Sequence, residues 1–439
     1  MTRRSFVSTG AVAAAQTGAP PNFVFLISDD HSAAEPGLAT PHLDRMAREG
    51  TRFTRCFVSS PQCSPNRSSI LTGCTPHTTS TSRLHTPMPE WEPTFLEPLK
   101  ERGYFTGAFG KVHQGKEFDR RWNATGATST EFEKFFDAAP RGRPFFLHVG
   151  FRDPHRPYRA GMFSPPHAPA SVRVPKFLPD TPEIREDLAH YHDAIARMDA
   201  EVGRVFESLR RRGLDGNTLV VFTGDNGMPF PGAKGTCYDP GIHVPLVAWW
   251  PGRIAAGWAR DDLVAHVDLA PMWLEAAGAA RPRKMQGTSL LPAFLGKARH
   301  ARTAVFSERN WHDNFDPIRS VRTERHKLIF NAAPHFPYRP AWDLAASPSW
   351  RSYGDVARSG KLRPEHRRLL EPARPVVELY DLLTDPDEFH NRATDPQFAA
   401  VRDELVRRLS DWMHDTYDFL PPGLGRPGEP AGRGWPVSL

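Results

Sequence analysis

Runs of consecutive apolar residues along the first 250 positions predict strands that are buried on both faces of a sheet. After Pro182, apolar residues instead recur at steps of three and four up to Gly213, which predicts one long amphipathic helix. Strands that alternate with helices favour a mostly parallel sheet sandwiched by helices, an α/β fold. The apolar runs are Asn22–Ser28, Tyr104–Gly110, Pro144–Gly150, Thr218–Gly224 and Val244–Trp250.

Beyond residue 300 the pattern changes to one typical of a smaller α+β subdomain. Ile318–Asn331 predicts a β-hairpin, Val376–Leu382 a further strand and Gln397–Met413 a terminal helix, whereas residues 333–375 predict an irregular insertion. The domains predicted from these patterns are an export signal at 1–20, a catalytic domain at 21–300, a C-terminal antiparallel sheet plus helix at 301–420, and a flexible tail at 421–439.

Composition narrows the classes of partner. The 439 residues carry a formal net charge of +6, but the arginines are interleaved with acids. Without a basic stripe and aromatic platforms, no nucleic-acid partner is predicted, and an anionic substrate or an arginine-rich coding bias explains the charge equally well. No apolar run is long enough to cross a bilayer, so no transmembrane segment is predicted. The four cysteines are too few for a disulfide scaffold.

The N-terminus has features of an export signal. The paired arginines Arg3 and Arg4 precede Phe6, a weakly apolar stretch and small residues at Ala13–Ala15. This pattern is typical of a twin-arginine signal and predicts a periplasmic or extracellular protein. A plain basic N-terminus is the alternative, because the apolar stretch is short.

Acidic and amide side chains follow two of the predicted strands. The first strand runs into Asp29 and Asp30, and the strand Thr218–Gly224 runs into Asp225 and Asn226. Ligands gather beyond the carboxyl ends of parallel strands, where these groups would repel each other without a cation between them. Oxygen ligands select Ca²⁺ or Mg²⁺. Taken separately, each pair is a common turn or surface pair, but together they favour a metal site.

Basic side chains follow the other predicted strands. Facing a metal, such cations would bind an anion placed between them and the ion. A lone lysine or histidine after a strand is usually a solvated loop residue, but several at successive strand ends indicate a site. They are Lys111 and His113 after one strand, Asp153, His155 and Arg156 after the next, and Lys234 in a glycine-rich loop after Asp225.

The stretch "CSPNRSSILTG" carries a specific motif, Cys63-x-Pro65-x-Arg67 followed by Leu71-Thr72-Gly73. This motif resembles the signature of the formylglycine-dependent sulfatases of the alkaline phosphatase superfamily, and "DD", "GKVH", "DPH" and "DNG" occur in that family's order. The resemblance implies an alkaline phosphatase-like fold and oxidation of Cys63 to formylglycine by a separate maturation enzyme. It also implies hydrolysis of sulfate from a sulfated saccharide.

Further segments resemble the sulfamidase branch of that family, which removes sulfate from N-sulfoglucosamine by cleaving the S–N bond. They include "DNGMPFPGAKGTCY" and "ELYDLLTDPDEFHNRATDP", and the likeness extends from about Asn22 to the terminal helix. The resemblance therefore implies a sulfamidase that degrades heparan-type glycosaminoglycans.

The resemblance also implies a role for each matching residue. Ca²⁺, or alternatively Mg²⁺, would be held by Asp29, Asp30, Asp225, Asn226 and the formylglycine at position 63. Asp225 is the expected base, and Arg67 and Lys111 would steady the nucleophile. His113 would take the second proton, Lys234 would neutralise the sulfuryl oxygens, and His155 would protonate the leaving group. Asp153 and Arg156 would bind the sugar, or alternatively form structural salt bridges.

Three alternatives to a sulfamidase stay open at this point. They are an O-sulfatase acting on a sulfated sugar, a phosphoesterase or phosphonate hydrolase of the same superfamily, and a glycan binder in which Cys63 is never converted. A two-zinc phosphatase would need additional His and Asp ligands where this chain has Lys111 and His113. The oligomeric state is left open.

Overall fold

The computed structural model describes residues 18–33, 38, 40–158 and 161–420. The predicted export signal, with its paired arginines, lies outside the described residues up to position 17, and so does the whole of the predicted tail at 421–439. Within the described part of the chain, none of the helices combines the length and the apolar character that crossing a bilayer requires.

A large sheet forms the centre of the molecule. Its strands are β1 (Asn22–Ser28), β2 (Thr51–Phe57), β3 (Phe105–Gly110), β4 (Ala124–Gly126), β5 (Phe145–Gly150), β6 (Thr218–Gly224), β7 (His243–Trp249) and β8 (Trp258–Ala265). Their order is β4-β3-β5-β1-β6-β7-β2-β8. Every neighbouring pair is parallel except that β7 runs antiparallel to both β6 and β2. The predicted mostly parallel sheet is confirmed.

Helices cover both faces of this sheet. One face packs against α2 (Cys63–Thr72), α3 (Leu96–Glu101), α7 (Leu269–Ala277) and α8 (Leu291–Phe294). The other packs against α1 (Pro41–Glu49), α4 (Glu133–Ala138) and α5 (Pro182–Arg211). A short helix, α6 (Asp239–Ile242), precedes β7. The predicted long helix is α5, whose apolar stripe from Ile184 to Leu209 is buried.

A second, smaller sheet is entirely antiparallel, with the order β12-β11-β10-β9. Its strands are β9 (Val305–Trp311), β10 (Phe315–Arg322), β11 (His326–Asn331) and β12 (Val377–Asp381). The terminal helix α11 (Ala399–Asp415) buries Leu405, Leu409 and Met413 against it. The predicted fold class, a large sandwiched sheet with a small α+β subdomain, is confirmed.

The prediction of an irregular insertion at residues 333–375 is wrong in part. This segment contains α9 (Trp342–Ala345) and α10 (Pro348–Arg358). Ser347 caps α10 by accepting a hydrogen bond from the backbone N–H of Trp350, and Pro348 occupies the first helical position, where its missing N–H costs nothing. Pro348 therefore starts α10 rather than preventing it.

Candidate active site

Strand register brings the predicted residues to one edge of the large sheet. Ser28 at the end of β1 pairs with Gly224 at the end of β6, so Asp29 and Asp225 begin side by side. Gly150 at the end of β5 pairs with both Ile27 of β1 and Gly110 of β3. The loops that follow all four strands therefore converge on a cavity of about 790 Å³.

An acidic cluster lies at the base of this cavity. Asp29, Asp30, Asp225 and Cys63 each offer one ligand atom, and these atoms all lie within 4.8 Å of one another. The Sγ of Cys63 lies 3.3 Å from Oδ1 of Asp29 and 3.8 Å from Oδ1 of Asp30. All four side chains are buried. Burial of three carboxylates at such short range is unfavourable unless cations balance them.

Asn226 gives a direct test of whether the cluster fits a metal ion. Its amide nitrogen donates to Oδ1 of Asp30 at 2.7 Å, but its buried Oδ1 has no hydrogen-bond partner among the described residues. A buried carbonyl oxygen without a partner costs free energy that a bound cation recovers. With the neighbouring carboxylates, it forms an all-oxygen donor set suited to Ca²⁺ or Mg²⁺.

The backbone at Asp30 holds the cluster in place. Asp30 has φ of 63°, in the left-handed region that residues other than glycine seldom adopt. In this conformation its N–H donates to Oδ1 of Asp225 at 2.9 Å, while the N–H of Asp29 donates to the carbonyl of Asp153 at 3.1 Å. Backbone conformations of this kind persist where surrounding bonds enforce them, as at binding sites.

Each carboxylate of the cluster has its own basic partner. The Nε of Arg67 lies 2.7 Å from Oδ2 of Asp225, and Lys111 forms an ion pair with Asp29. Burial opposes the charged form of Asp29, but Lys111 and its other basic neighbours hold the pKa of Asp29 well below its usual value. By contrast, burial and the charge of Asp29 raise the pKa of Asp225 to about 6.

Lys234 connects the cluster with a more distant segment. Its Nζ lies 2.7 Å from Oδ2 of Asp30 and 2.7 Å from Oδ2 of Asp343, the second residue of α9. Burial opposes the charge of Lys234, but Asp30 raises its pKa well above the usual value, so the ammonium stays charged. Sulfate or another anion in the cavity would meet this fixed positive charge.

Cys63 is the first residue of α2. Pro65 is tolerated there because the first turn of a helix needs no donor at that position. The helix ends at Gly73, whose φ of 66° and close contact with Met285 exclude a larger residue. Burial and the charge of Asp29 raise the pKa of the Cys63 thiol well above its usual value, so the thiol stays protonated.

Two histidines that the sequence predicts to transfer protons line the cavity. Burial and Lys111 lower the pKa of His113 to about 2, so its imidazole is neutral, and its Nε2 lies 2.6 Å from Nδ1 of His85. The Nδ1 of His155 forms a hydrogen bond with the backbone carbonyl oxygen of Arg156. Its Nε2 lies 3.8 Å from Oδ2 of Asp30 and 3.6 Å from Oδ2 of Asp343.

The two residues predicted to bind the sugar are already paired within the protein. Arg156 donates to both oxygens of Asp187, at 2.7 and 2.6 Å, and its Nε donates to the carbonyl of Pro229. Asp153 accepts two bonds from Arg197, at 2.7 and 2.6 Å. Both residues border the cavity, but this pairing favours the structural alternative, most clearly for the buried Arg156.

Comparison with known proteins identifies the chain. The sulfatase family matches residues 21–139 and 122–279, more than half of the sequence. The chain belongs to the sulfatase family. The family described as "N-sulphoglucosamine sulphohydrolase, C-terminal" matches residues 233–349. The predicted recognition and the predicted enzyme class, a hydrolase of sulfate esters or sulfamates, are confirmed.

Individual sulfatases align along most of the chain. Human N-sulphoglucosamine sulphohydrolase is 32% identical, with 91% of each chain covered. An ulvan-active sulfatase of Formosa agariphila is 27% identical over 90% of this chain and 74% of its own. A structure solved in complex with its substrate D-glucosamine-2-N,6-O-disulfate superposes with a TM-score of 0.70 at 19% identity, over 92% of this chain and all of that chain. At that identity the superposition shows the fold alone.

This sulfatase cavity also has a wall whose individual residues the sequence did not predict. Trp342 and Asp343 of α9 and His312 and Asp313 of the β9–β10 turn line it, together with residues at the strand ends. No strand-end pattern or motif marks these positions, because they lie in the C-terminal subdomain and in the segment predicted as irregular. Only the packing of the two parts of the chain brings them to the site.

Proposed function

We propose that this sulfatase removes the N-linked sulfate of N-sulfoglucosamine, cleaving an S–N bond, with a formylglycine derived from Cys63 and a bound Ca²⁺. The 32% identity to the human sulfamidase over 91% of both chains supports this substrate. The match of residues 233–349 to the sulfamidase C-terminal family adds support, because Lys234, Trp342 and Asp343 all lie within it.

The setting of Cys63 is the observation that carries the proposal. Its Sγ lies among three carboxylates. Burial, together with the charges of Asp29 and Asp225, raises the pKa of the thiol, so an unmodified cysteine is a poor nucleophile here. The same Sγ position suits an oxygen atom, because it faces carboxylate and carbonyl ligands of a hard cation. The sulfur therefore stands in for a hydroxyl of formylglycine hydrate. Such a hydrate supplies one hydroxyl that attacks sulfur and a second that allows the sulfate to be released.

Asp29, Asp30, Asp225 and Asn226 would hold the Ca²⁺ together with residue 63. The ion supplies positive charge that polarises a sulfate oxygen and lowers the pKa of a hydroxyl beside it. Mg²⁺ is the alternative occupant. The buried amide oxygen of Asn226, which has no hydrogen-bond partner among the described residues, would be one of its ligands.

The remaining residues would bind the sulfate and move protons. Lys111 and Lys234 carry the charges that face the sulfuryl oxygens, and Arg67 orients the carboxylate of Asp225, which is the proposed base. The neutral imidazole of His113 is able to accept a proton. His155, with Nε2 at the cavity, is the proposed acid for the departing nitrogen.

Cleavage of an O-linked sulfate is the second candidate. It is favoured by the ulvan-active sulfatase and by human N-acetylgalactosamine-6-sulfatase, which is 28% identical over 63% of this chain and 66% of its own. Fold likeness also extends to the phosphonate monoester hydrolase of Agrobacterium radiobacter, with a TM-score of 0.72 at 18% identity, over 90% of this chain and 96% of that chain.

One experiment tests the proposal at two levels. Mass spectrometry of the tryptic peptide Cys56–Arg67 should show residue 63 without the elements of H₂S and with one oxygen added. Sulfate release should then be compared between glucosamine N-sulfate and glucosamine 6-O-sulfate. Faster release from the N-sulfate is expected. A thiol at Cys63 in active enzyme would overturn the nucleophile, whereas preference for the 6-O-sulfate would overturn the sulfamidase alone.

Two further steps belong to the proposal. A formylglycine-generating enzyme would recognise Cys63, Pro65 and Arg67, and its co-expression should raise the converted fraction of the Cys56–Arg67 peptide.

Export would follow the twin-arginine route through Arg3 and Arg4. Replacing both arginines with lysine should retain the protein in the cytoplasm, and undiminished export would contradict this route.

A further inference from the structure

Trp342 combines high exposure with a place in the cavity wall. The residue is 78% exposed and lines the same cavity as Cys63 and Lys234. Single exposed apolar residues are common on protein surfaces, but a large ring at the rim of a polar cavity is typical of a binding position.

The backbone that carries this ring is fixed at several points. The N–H of Trp342 donates to Oδ2 of Asp313 at 2.7 Å, which joins α9 to the β9–β10 turn. The next residue, Asp343, accepts from Nζ of Lys234 at 2.7 Å. Leu344 is fully buried on the other side of α9. An exposed ring on such an anchored turn is a preorganised surface, which binds with a smaller loss of conformational entropy than a mobile loop does.

Lys234 also links the segment that carries Trp342 to the acidic cluster. The ammonium contacts both Asp30 of the acidic cluster and Asp343, so only one side chain separates the cluster from α9. If the sulfate of a bound saccharide lies against Lys234, the rest of that molecule must extend from the acidic cluster toward the mouth of the cavity. Trp342 and Asp313 stand at that mouth, offering an apolar ring and a carboxylate acceptor.

We propose that Trp342 is the specificity-determining platform on which the sugar carrying the sulfate stacks. This inference rests on the proposed function, because it takes the substrate to be a sulfated saccharide. A pyranose ring has apolar C–H faces and polar edges, so it matches an aromatic face beside hydrogen-bond acceptors. Trp342 touches the sugar and not the reacting sulfur, so its loss weakens saccharide binding and leaves the sulfate site intact.

The test measures affinity without turnover. In a Cys63→Ala background, the Kd of glucosamine N-sulfate should rise about 10-fold on Trp342→Ala, as expected when one well-packed aromatic contact is lost. Trp342→Phe should restore part of the affinity. The Kd of inorganic sulfate, which has no sugar, should be the same in all these variants. Trp91→Ala is the matched control, because Trp91 is 67% exposed but does not line the cavity.

Each outcome separates this inference from the proposed function. An unchanged Kd for glucosamine N-sulfate in Trp342→Ala overturns the platform, whether or not the wild-type enzyme releases sulfate from that sugar. Equal weakening of sulfate and saccharide binding also overturns it, because the ring would then support the anion site. If the wild-type enzyme binds the sugar through Trp342 but does not release its sulfate, the platform stands and the proposed reaction fails.

Discussion

The Nζ of Lys234 lies 2.7 Å from Oδ2 of Asp343, so a carboxylate from the C-terminal subdomain occupies one side of the cation proposed to bind the sulfate. Burial opposes the charge of Asp343, but Lys234 keeps the pKa of this carboxyl far below its usual value. A permanent negative charge beside a sulfate site weakens sulfate binding. Its presence there is explained if it positions Lys234 and favours release of the product.

Asp343→Asn should separate these two effects. Loss of one negative charge removes its repulsion of the sulfate. The Ki of inorganic sulfate should therefore fall by about 10-fold, which corresponds to roughly 1.4 kcal/mol. The same change should lower kcat, because Lys234 loses one of its two anchors and the product leaves more slowly. The measurements are the Ki of sulfate and kcat with glucosamine N-sulfate.

Asp355→Asn is the control for this prediction. Asp355 lies on α10 in the same segment, and its carboxylate forms an exposed pair with Arg358. Asp355→Asn should therefore change neither the Ki of sulfate nor kcat. If Asp343→Asn weakens sulfate binding instead, the carboxylate acts by holding Lys234 toward the anion, and the proposed repulsion is contradicted.

Binding of Ca²⁺ should stabilise the folded protein. The acidic cluster forms only in the folded state, so bound metal should add roughly 4 kcal/mol when the free ion is about 1000 times its Kd. Treatment with EDTA should lower Tm, and Ca²⁺ should restore it. Asn226→Leu removes the unpaired amide oxygen, so this variant should lose most of the rise in Tm that Ca²⁺ produces. An equal rise in the variant would exclude Asn226 as a ligand.

The sequence predicted the parts of the site that follow continuous apolar strands. β1 and β6 are buried along their whole length, so their ends, and hence Asp29 and Asp225, could be located from the pattern. β2 was missed because its sequence, "TRFTRCF", contains two arginines and only partly alternates, with mixed burial. The side chain of Asp343 was missed for another reason. Its role depends on a contact across 109 positions of chain, which no local pattern encodes.

Arg156 should contribute more to stability than to substrate binding. Its guanidinium is held by both oxygens of Asp187 and lies over the rings of Tyr158 and Phe230. A lysine ammonium cannot form the two parallel hydrogen bonds that a guanidinium forms with one carboxylate, and it stacks less well on aromatic rings. Arg156→Lys keeps the positive charge but loses hydrogen bonds to Asp187, so it should cost roughly 2 kcal/mol of unfolding free energy and lower Tm, while the KM for glucosamine N-sulfate changes little.

Arg152 provides the comparison for Arg156. It is exposed and borders the same cavity, so Arg152→Lys should leave Tm unchanged. A normal Tm with a strongly raised KM in Arg156→Lys would instead favour the sugar-binding role that the sequence resemblance implied.

His77 and Glu308 form a buried ion pair that makes stability depend on pH. The pair joins the loop after α2 to β9, and Nε2 of His77 also lies 2.9 Å from Oγ1 of Thr416 near the C-terminal end of the described chain. Burial opposes protonation of His77, but the carboxylate of Glu308 raises its pKa above the usual 6.5. Because the folded pKa is the higher one, this stabilisation is complete below about pH 6.5 and is lost as pH rises through the folded pKa.

Glu308→Gln should remove this dependence. Removing one partner of a buried pair costs roughly 3 kcal/mol or more, so the variant should have a lower Tm at pH 6. The gap to the wild type should narrow as pH rises through the folded pKa of His77, because the imidazole then becomes neutral in both proteins. Glu324→Gln, at an exposed pair with Arg55, should follow the wild-type profile at every pH. A Tm gap for Glu308→Gln that does not narrow with rising pH would contradict the titration of His77 as the source of this dependence.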